Sequence, residues 1–135
     1  MFLTLLTKEE KYRFLDLIMK IVSVSGEPSE IDLQVVDRLR KEMGEDVNKY
    51  KQEHYPVQEL IAYFSSKNKS TKNLIFLNLV AASLYDEWYS VEEHFLIEEV
   101  QEAFGIDQKK KNELMKLVYA ERDLREKTKR AIQEA

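Results

Sequence analysis

The sequence predicts an all-α fold, a bundle of about seven helices with an internal pseudo-twofold repeat. Apolar residues recur at helical spacing in several long segments, which is typical of helices that pack on a shared core. Only 3 Gly and 2 Pro occur in 135 residues, and these are few turn-forming residues for a many-stranded sheet. With 44% hydrophobic residues, we expect residues 1–135 to form one domain around one core.

The first helix pair is predicted at about residues 7–44. Thr7 and Glu10 have the spacing of a capping box, in which each side chain satisfies the backbone N–H of the other residue. The helix that follows is apolar on most of its circumference, so we expect it to be buried. Ser29 opens the second helix, and Gly44 stands where a left-handed residue would end it.

The remaining helices follow a polar connector, which we count as one short helix. Pro56 suits the first turn of the next helix. A second helix pair is predicted at about residues 71–105, where Ser90 opens its second helix and Gly105 ends it. A last long helix is predicted at about residues 107–132.

The two helix pairs match each other when the first is shifted by 61 positions. The matched residues are Leu15 with Phe76, Ser29 with Ser90, Asp32 with Glu93, Val35 with Leu96 and Gly44 with Gly105. Core positions, helix caps and terminating glycines therefore agree in one register without a gap. Because only two copies occur, the repeat predicts pseudo-twofold packing of two hairpins rather than a solenoid.

Composition excludes several classes of function and site. The chain has no Cys, which excludes disulfides, thiolate metal sites and a cysteine nucleophile, and suits the cytoplasm as its location. A net charge of -4 argues against nucleic acid as a partner, since binding to it needs a basic surface. No apolar run reaches the ~20 residues that cross a bilayer, so no transmembrane segment is expected, while peripheral membrane association stays open.

The turn inside each helix pair carries a recognisable motif. Residues 86–93 read DEWYSVEE, and residues 25–32 read SGEPSEID. Both resemble the turn of the tellurite-resistance protein TerB family, which reads Asp-Gly-x-hydrophobic-Ser-x-x-Glu and occurs twice per domain. The resemblance extends from Leu6 to about Leu124. The first copy departs from the pattern at Ser25, where the family has Asp, and the second at Glu87, where the family has Gly.

The resemblance implies a divalent-cation site rather than an active site. The family is thought to bind divalent metal through its paired acidic turns, to act in stress-response or membrane-associated complexes, and to be non-enzymatic. On this chain the implied ligands are Asp86, Glu93 and Asp32, whose oxygens suit Ca²⁺ or Mg²⁺. Helix capping alone also explains Glu93 and Asp32. Asp86 needs a compensating partner, because it follows the C-terminal end of a helix, where the dipole disfavours an anion.

Other candidate residues have both a structural and a functional interpretation. Trp88 either anchors a protein partner, as aromatic residues often do, or covers the edge of the core. His54 and His94 lack the spacing of zinc or di-iron ligands, so we expect surface or boundary positions. Two lysine runs, at residues 67–72 and 109–111, indicate a solvated face or, alternatively, a patch for phosphate or anionic membrane.

Three hypotheses of function follow. The leading one is a non-catalytic TerB-like module, a stress-associated adaptor with a weak divalent-cation site at Asp86 and Glu93. The second is a metal-independent protein-interaction scaffold that uses Trp88 and the helix after it. The third, a carboxylate-dependent metal hydrolase, has the least support, because no nucleophile elbow, Ser-His-Asp context or glycine-rich phosphate loop occurs. Turnover of a panel of phosphoesters would test the third hypothesis.

Overall fold

A computed structural model of the chain describes residues 1–85 and 90–134. Within these ranges the protein contains six α-helices, two short 3-10 turns and no strand, which confirms the all-α prediction. The helices are α1 Lys8–Val22, α2 Glu30–Met43, α3 Val57–Ser65, α4 Lys69–Tyr85, α5 Val91–Ala103 and α6 Gln108–Gln133. The 3-10 turns lie at Leu3–Leu5 and Glu45–Val47.

The predicted count of about seven helices is too high by one, because the connector after α2 does not form an α-helix. Gly44 adopts a φ of 82°, which ends α2 and redirects the chain. The connector then makes a single 3-10 turn at Glu45–Val47 and stays irregular as far as Pro56. Three polar groups of the connector bind side chains of α1, so these groups are satisfied without a further helix.

The predicted N-caps of α1, α2 and α5 are present. The Thr7 hydroxyl accepts the Glu10 N–H at 3.2 Å, and the Glu10 carboxylate accepts the Thr7 N–H at 2.8 Å. Ser29 and Asp32 form the same reciprocal box, with distances of 3.1 and 2.9 Å. These bonds satisfy orphan donors of the first helical turn, so the start of each helix is set by local sequence.

The helix boundaries have the period of the predicted repeat. α1 begins at residue 8 and α4 at residue 69, while α2 begins at residue 30 and α5 at residue 91, so that both pairs of starts are 61 residues apart. Gly44 and Gly105, which follow α2 and α5, both have positive φ, of 82° and 66°. These boundaries support the repeat, while a rotation axis that relates the two pairs stays a prediction.

One hydrophobic cluster connects all the helices. α1 packs against α2, α3 and α5, and α4 packs against α3, α5 and α6. The largest fully buried side chains of these two helices and of α3 are Phe14, Leu15, Leu17, Ile18, Leu60, Phe64, Ile75, Phe76 and Leu79. The candidate site lies beside this cluster, where α1, α2, α4 and α5 meet. In the described part of the chain, no helix is both long and apolar enough to cross a bilayer.

Candidate functional site

Asp32 and Glu93 line the same small cavity, whose volume is about 20 Å³. Most of the residues around it form pairs that the 61-residue shift relates. These pairs are Ile18 with Leu79, Ile21 with Ala82, Val22 with Ser83, and Asp32 with Glu93. Val35 and Ile97 complete the lining. The two acidic residues predicted from equivalent turns are therefore brought together at the place where the two helix pairs meet.

The Asp32 carboxylate is buried and only partly used by the helix cap. The residue is 7% exposed, and its Oδ2 atom accepts the Ser29 backbone N–H at 2.9 Å. A carboxylate can accept several hydrogen bonds through its two oxygens. Asp32 can therefore cap α2 through one oxygen and bind a second group through the other.

Glu93 occupies the equivalent position at the start of α5. It is also 7% exposed, and its backbone N–H donates to the Ser90 hydroxyl at 3.1 Å. Ser83 of α4 adds a hydroxyl to the lining, and this hydroxyl donates its proton to the Val80 carbonyl at 2.8 Å. The lone pairs of the Ser83 oxygen can still accept a hydrogen bond or contact a cation. Residues with oxygen-bearing side chains on three helices thus line the cavity.

The capping-box carboxylate at the start of α1, Glu10, has a different environment. Its Oε2 atom lies 3.7 Å from the Lys67 ammonium, which supplies an opposite charge. Among the described residues that line the cavity of Asp32 and Glu93, none is basic, and the other side chains except Ser83 are aliphatic. Buried carboxylates in apolar surroundings need hydrogen bonds, a proton or a cation to offset the loss of water.

The described residues provide an incomplete set of metal ligands. They contain no group of three or more His, Cys, Asp or Glu side chains placed to hold a metal ion. A cavity of about 20 Å³ has room for one water molecule or one small ion. Asp86, the third predicted ligand, and Trp88, the predicted partner anchor, lie outside the described residues, so their roles stay predictions.

Neither histidine lies at this cavity. His54 is exposed on the connector. His94 lies on α5, where its Nε2 atom is 2.9 Å from Glu98 Oε1, and both side chains are about half exposed. These positions agree with the surface or boundary locations expected from the spacing of the two residues.

Sequence reasoning missed a buried polar contact between α1 and the connector. Asp16 is 1% exposed, and its Oδ1 atom accepts the Tyr50 hydroxyl at 2.5 Å and the Glu53 N–H at 3.2 Å. Lys11, 4% exposed, donates to Asp46 at 2.7 Å. The available signal was the presence of Lys11 and Asp16 in a helix that was expected to be buried, because buried charges need partners.

Burial also changes the acidities of this contact. Loss of water raises the pKa of Asp16, although the hydrogen bonds from Tyr50 and Glu53 oppose the change. Burial, together with the hydrogen bond to Asp16, raises the pKa of Tyr50. In contrast, the hydrogen bond from Lys11 lowers the pKa of the exposed Asp46 carboxyl. The contact fastens the connector to α1, and the cavity residues lie elsewhere on the helix.

Comparison of the chain with models of known protein families, with curated proteins and with solved structures finds no match. The TerB resemblance therefore rests on the turn residues 25–32 and 86–93 and on the repeat that relates them. Function has to be argued from the geometry of the cavity and from the surfaces around it.

Proposed function

We propose that this protein is a non-catalytic TerB-like module that binds a divalent cation weakly between its two acidic turns and serves as a stress-associated adaptor in the cytoplasm. One observation carries the proposal: Asp32 and Glu93, which the repeat relates, border a single cavity with largely aliphatic walls. A cation there would offset two buried negative charges at once. Ca²⁺ and Mg²⁺ are the ions that prefer carboxylate and hydroxyl oxygens.

The size of the cavity favours binding over catalysis. Pockets for organic ligands usually measure about 300 Å³ or more, whereas this one measures about 20 Å³. It has room for an ion and too little for a substrate beside it. The capping bond of Asp32 also ties the carboxylate to the start of α2, so a bound cation would join the two helix pairs.

The proposed affinity is low because the described residues supply few ligands. Asp32, Glu93 and Ser83 offer three oxygen-bearing side chains, whereas Ca²⁺ takes six to eight oxygen ligands and Mg²⁺ takes six. Asp86 and water molecules would complete the set under this proposal. We expect millimolar rather than micromolar binding, since affinity decreases when fewer charged ligands are present.

Calorimetric titration with Ca²⁺, Mg²⁺ and Zn²⁺ tests the proposal. We expect binding heat with Ca²⁺ or Mg²⁺ that is lost in Asp32→Asn, Glu93→Gln and Asp86→Ala. The amide in Asp32→Asn keeps an oxygen that can accept the Ser29 N–H, so the cap of α2 survives while the charge is removed.

Glu10→Gln is the matched control for these variants. It makes the same chemical change in a capping box whose carboxylate faces Lys67 rather than the cavity. Its binding heat should equal that of the wild type. Absence of heat in the wild type, or equal heat in Asp32→Asn, contradicts the cation proposal.

A second candidate function is a metal-independent protein-interaction scaffold, and one observation on α5 favours it. Val91 and Phe95, one helical turn apart, are 64% and 59% exposed. Adjacent exposed apolar side chains are more common at binding surfaces than elsewhere on monomeric proteins. If the protein is such a scaffold, Phe95→Glu should abolish binding of the protein partner and leave thermal unfolding unchanged. Divalent metal ions should affect neither measurement.

A further inference from the structure

The two lysine runs of the sequence meet at one depression on the surface. Lys69 and Lys72 come from the start of α4, and Lys110 comes from the first turn of α6. They line an open depression of about 320 Å³ together with Asn73, Asp107 and the turn between α5 and α6. Phe104 and Ile106 of that turn are 4% and 7% exposed and form an apolar floor.

The depression is positively charged although the chain as a whole carries a net charge of -4. Three lysines and one aspartate line it, which leaves two formal positive charges. The segment that contributes Lys69 and Lys72 is locally basic, since no Asp or Glu occurs between Glu59 and Asp86. The local potential therefore favours an anion.

The charges that face the depression are largely available to a ligand. Neither Lys69 nor Lys72 forms an ion pair with a described carboxylate. Lys110 pairs with Glu113 at 2.9 Å, but both side chains are about half exposed, and such surface pairs are weak and exchange readily. Asp107, the one acidic residue, accepts the Lys110 backbone N–H at 2.7 Å and so caps α6.

Hydrogen-bond donors accompany the lysines. The side-chain amide of Asn73 makes no hydrogen bond to the described residues, so its N–H groups can serve a ligand. Two helices, α4 and α6, also begin beside the depression, and the first turn of a helix presents unsatisfied N–H groups and a partial positive charge. The caps at Asn68 and Asp107 each satisfy one of these N–H groups.

We propose that this depression binds the phosphate group of a small phosphorylated molecule. Lys69 and Lys72 hold the phosphate oxygens, Asn73 donates a further hydrogen bond, and the floor of Phe104 and Ile106 contacts the organic part of the ligand. The volume exceeds what one phosphate needs and falls within the range of small-molecule pockets. A membrane surface fits less well, because the apolar side chains form a buried floor and cannot insert into lipid.

The test uses the whole chain, in the absence of divalent cations, with inorganic phosphate and phenyl phosphate as ligands. Amide shifts in two-dimensional NMR should saturate and should be confined to the start of α4 and to residues 104–111. Phenyl phosphate should bind more tightly than inorganic phosphate, because its ring can contact the apolar floor. Omitting divalent cations keeps this result independent of the cation site proposed above.

Charge-matched variants distinguish binding at the depression from non-specific electrostatic attraction between the protein and an anion. The double variant Lys69→Gln/Lys72→Gln should weaken binding roughly tenfold or more, because it removes charge-assisted hydrogen bonds. The control Lys51→Gln/Lys127→Gln loses the same charge at two exposed positions elsewhere. It should change the dissociation constant by less than about twofold, since distant exposed charges are screened by salt.

Four outcomes overturn the proposal. The first is no detectable binding of either anion, and the second is an equal loss of affinity in the two double variants. The third is a set of shifts scattered over exposed lysines on the whole surface. The fourth is binding to vesicles that contain phosphatidic acid, a lipid phosphomonoester, without binding to either soluble anion. Thermal unfolding of both double variants, measured in parallel, shows that a lost interaction does not reflect lost folding.

Discussion

Asp16 has the lowest exposure of the charged side chains in the described residues, and it lies outside the candidate sites. A buried carboxylate is tolerated only when donors replace water, and Tyr50 and Glu53 provide them. At the residue scale, these bonds decide where the connector lies. They explain why a polar segment with little secondary structure takes one fixed path over α1.

Tyr50→Phe is therefore expected to destabilise the protein by about 1–3 kcal/mol, because it removes one of the donors to a buried carboxylate. Loss of this hydrogen bond should also raise the pKa of Asp16 further, since the bond now opposes the effect of burial. Urea denaturation measures the free energy of unfolding, and an NMR titration of the Asp16 carboxyl group measures its pKa. The control Tyr119→Phe alters a partly exposed tyrosine and should have an effect within about 0.5 kcal/mol.

The pH dependence of stability should differ in sign between Asp16 and Asp46. Asp16 has a raised folded-state pKa, so its contribution is present below the ordinary value of about 3.9 and is lost as pH rises through the raised pKa. Asp46 has a lowered folded-state pKa, so its contribution is present above that ordinary value and is lost as pH falls through the lowered pKa.

Urea denaturation between about pH 3 and pH 7 measures both effects as differences from amide variants. The stability of the wild type relative to Asp16→Asn should decrease as pH rises. Its stability relative to Asp46→Asn should increase over the same range. Two difference curves with the same slope would contradict the assignment of these two carboxyl groups.

At the scale of the element, the start of α2 has two roles, because it contains both a helix cap and a residue of the proposed cation site. The hydroxyl of Ser29 and the carboxylate of Asp32 exchange hydrogen bonds with each other's backbone N–H groups. One carboxylate thus holds the end of a helix and also borders the cavity. Cation binding and capping of α2 should therefore be linked through Asp32, and a change in one should affect the other.

Ser29→Ala is expected to cost about 1 kcal/mol of stability, the usual effect of removing an N-cap hydroxyl. It leaves the Asp32 carboxylate in place, so any cation affinity should fall less than it does in Asp32→Asn. Chemical denaturation and calorimetry provide the two measurements. Ser70→Ala, an exposed serine in the first turn of α4, is the control and should stay within about 0.5 kcal/mol of the wild type. A larger loss of affinity in Ser29→Ala than in Asp32→Asn would contradict the assigned roles.

Stability is unevenly distributed over the whole molecule, and α6 shows the contrast. Leu114 and Val118 in its first half are 9% and 4% exposed and belong to the core. All described residues from Glu126 to Glu134 are exposed. The first half of α6 thus closes the bundle against α4, and the end of the helix from Glu126 onward is exposed to solvent.

Leu114→Ala should therefore cost about 2–5 kcal/mol, the usual range for a buried leucine, because it leaves a cavity in the core. Deletion of residues 127–135 should change the free energy of unfolding by less than about 1 kcal/mol, since it removes no buried side chain among the described residues. Urea denaturation measures both variants. A large loss of stability on deletion would show that the exposed end of α6 packs against something in solution.

The sequence by itself determined the all-α class and the helix starts at Thr7, Ser29 and Ser90, and it predicts the spacing of 61 residues that two pairs of helix starts have. These features depend on interactions within one helical turn or on the periodicity of apolar side chains, which can be read along the chain. The same local reasoning predicted a short helix in the connector, where the structure has a 3-10 turn. The sequence of a polar segment does not reveal that its side chains bind another helix, as Tyr50 binds Asp16.

Only the tertiary structure decided which distant residues meet. It places Asp32 and Glu93 around one cavity, and it joins Lys69 and Lys72 to Lys110 at one depression. Both arrangements depend on the angles and distances at which helices pack, and these follow from the shapes of many core side chains together. The geometry of that packing cannot be read from a single sequence. The meeting of Asp32 and Glu93 was implied only by the family resemblance, and the meeting of the three lysines was not predicted.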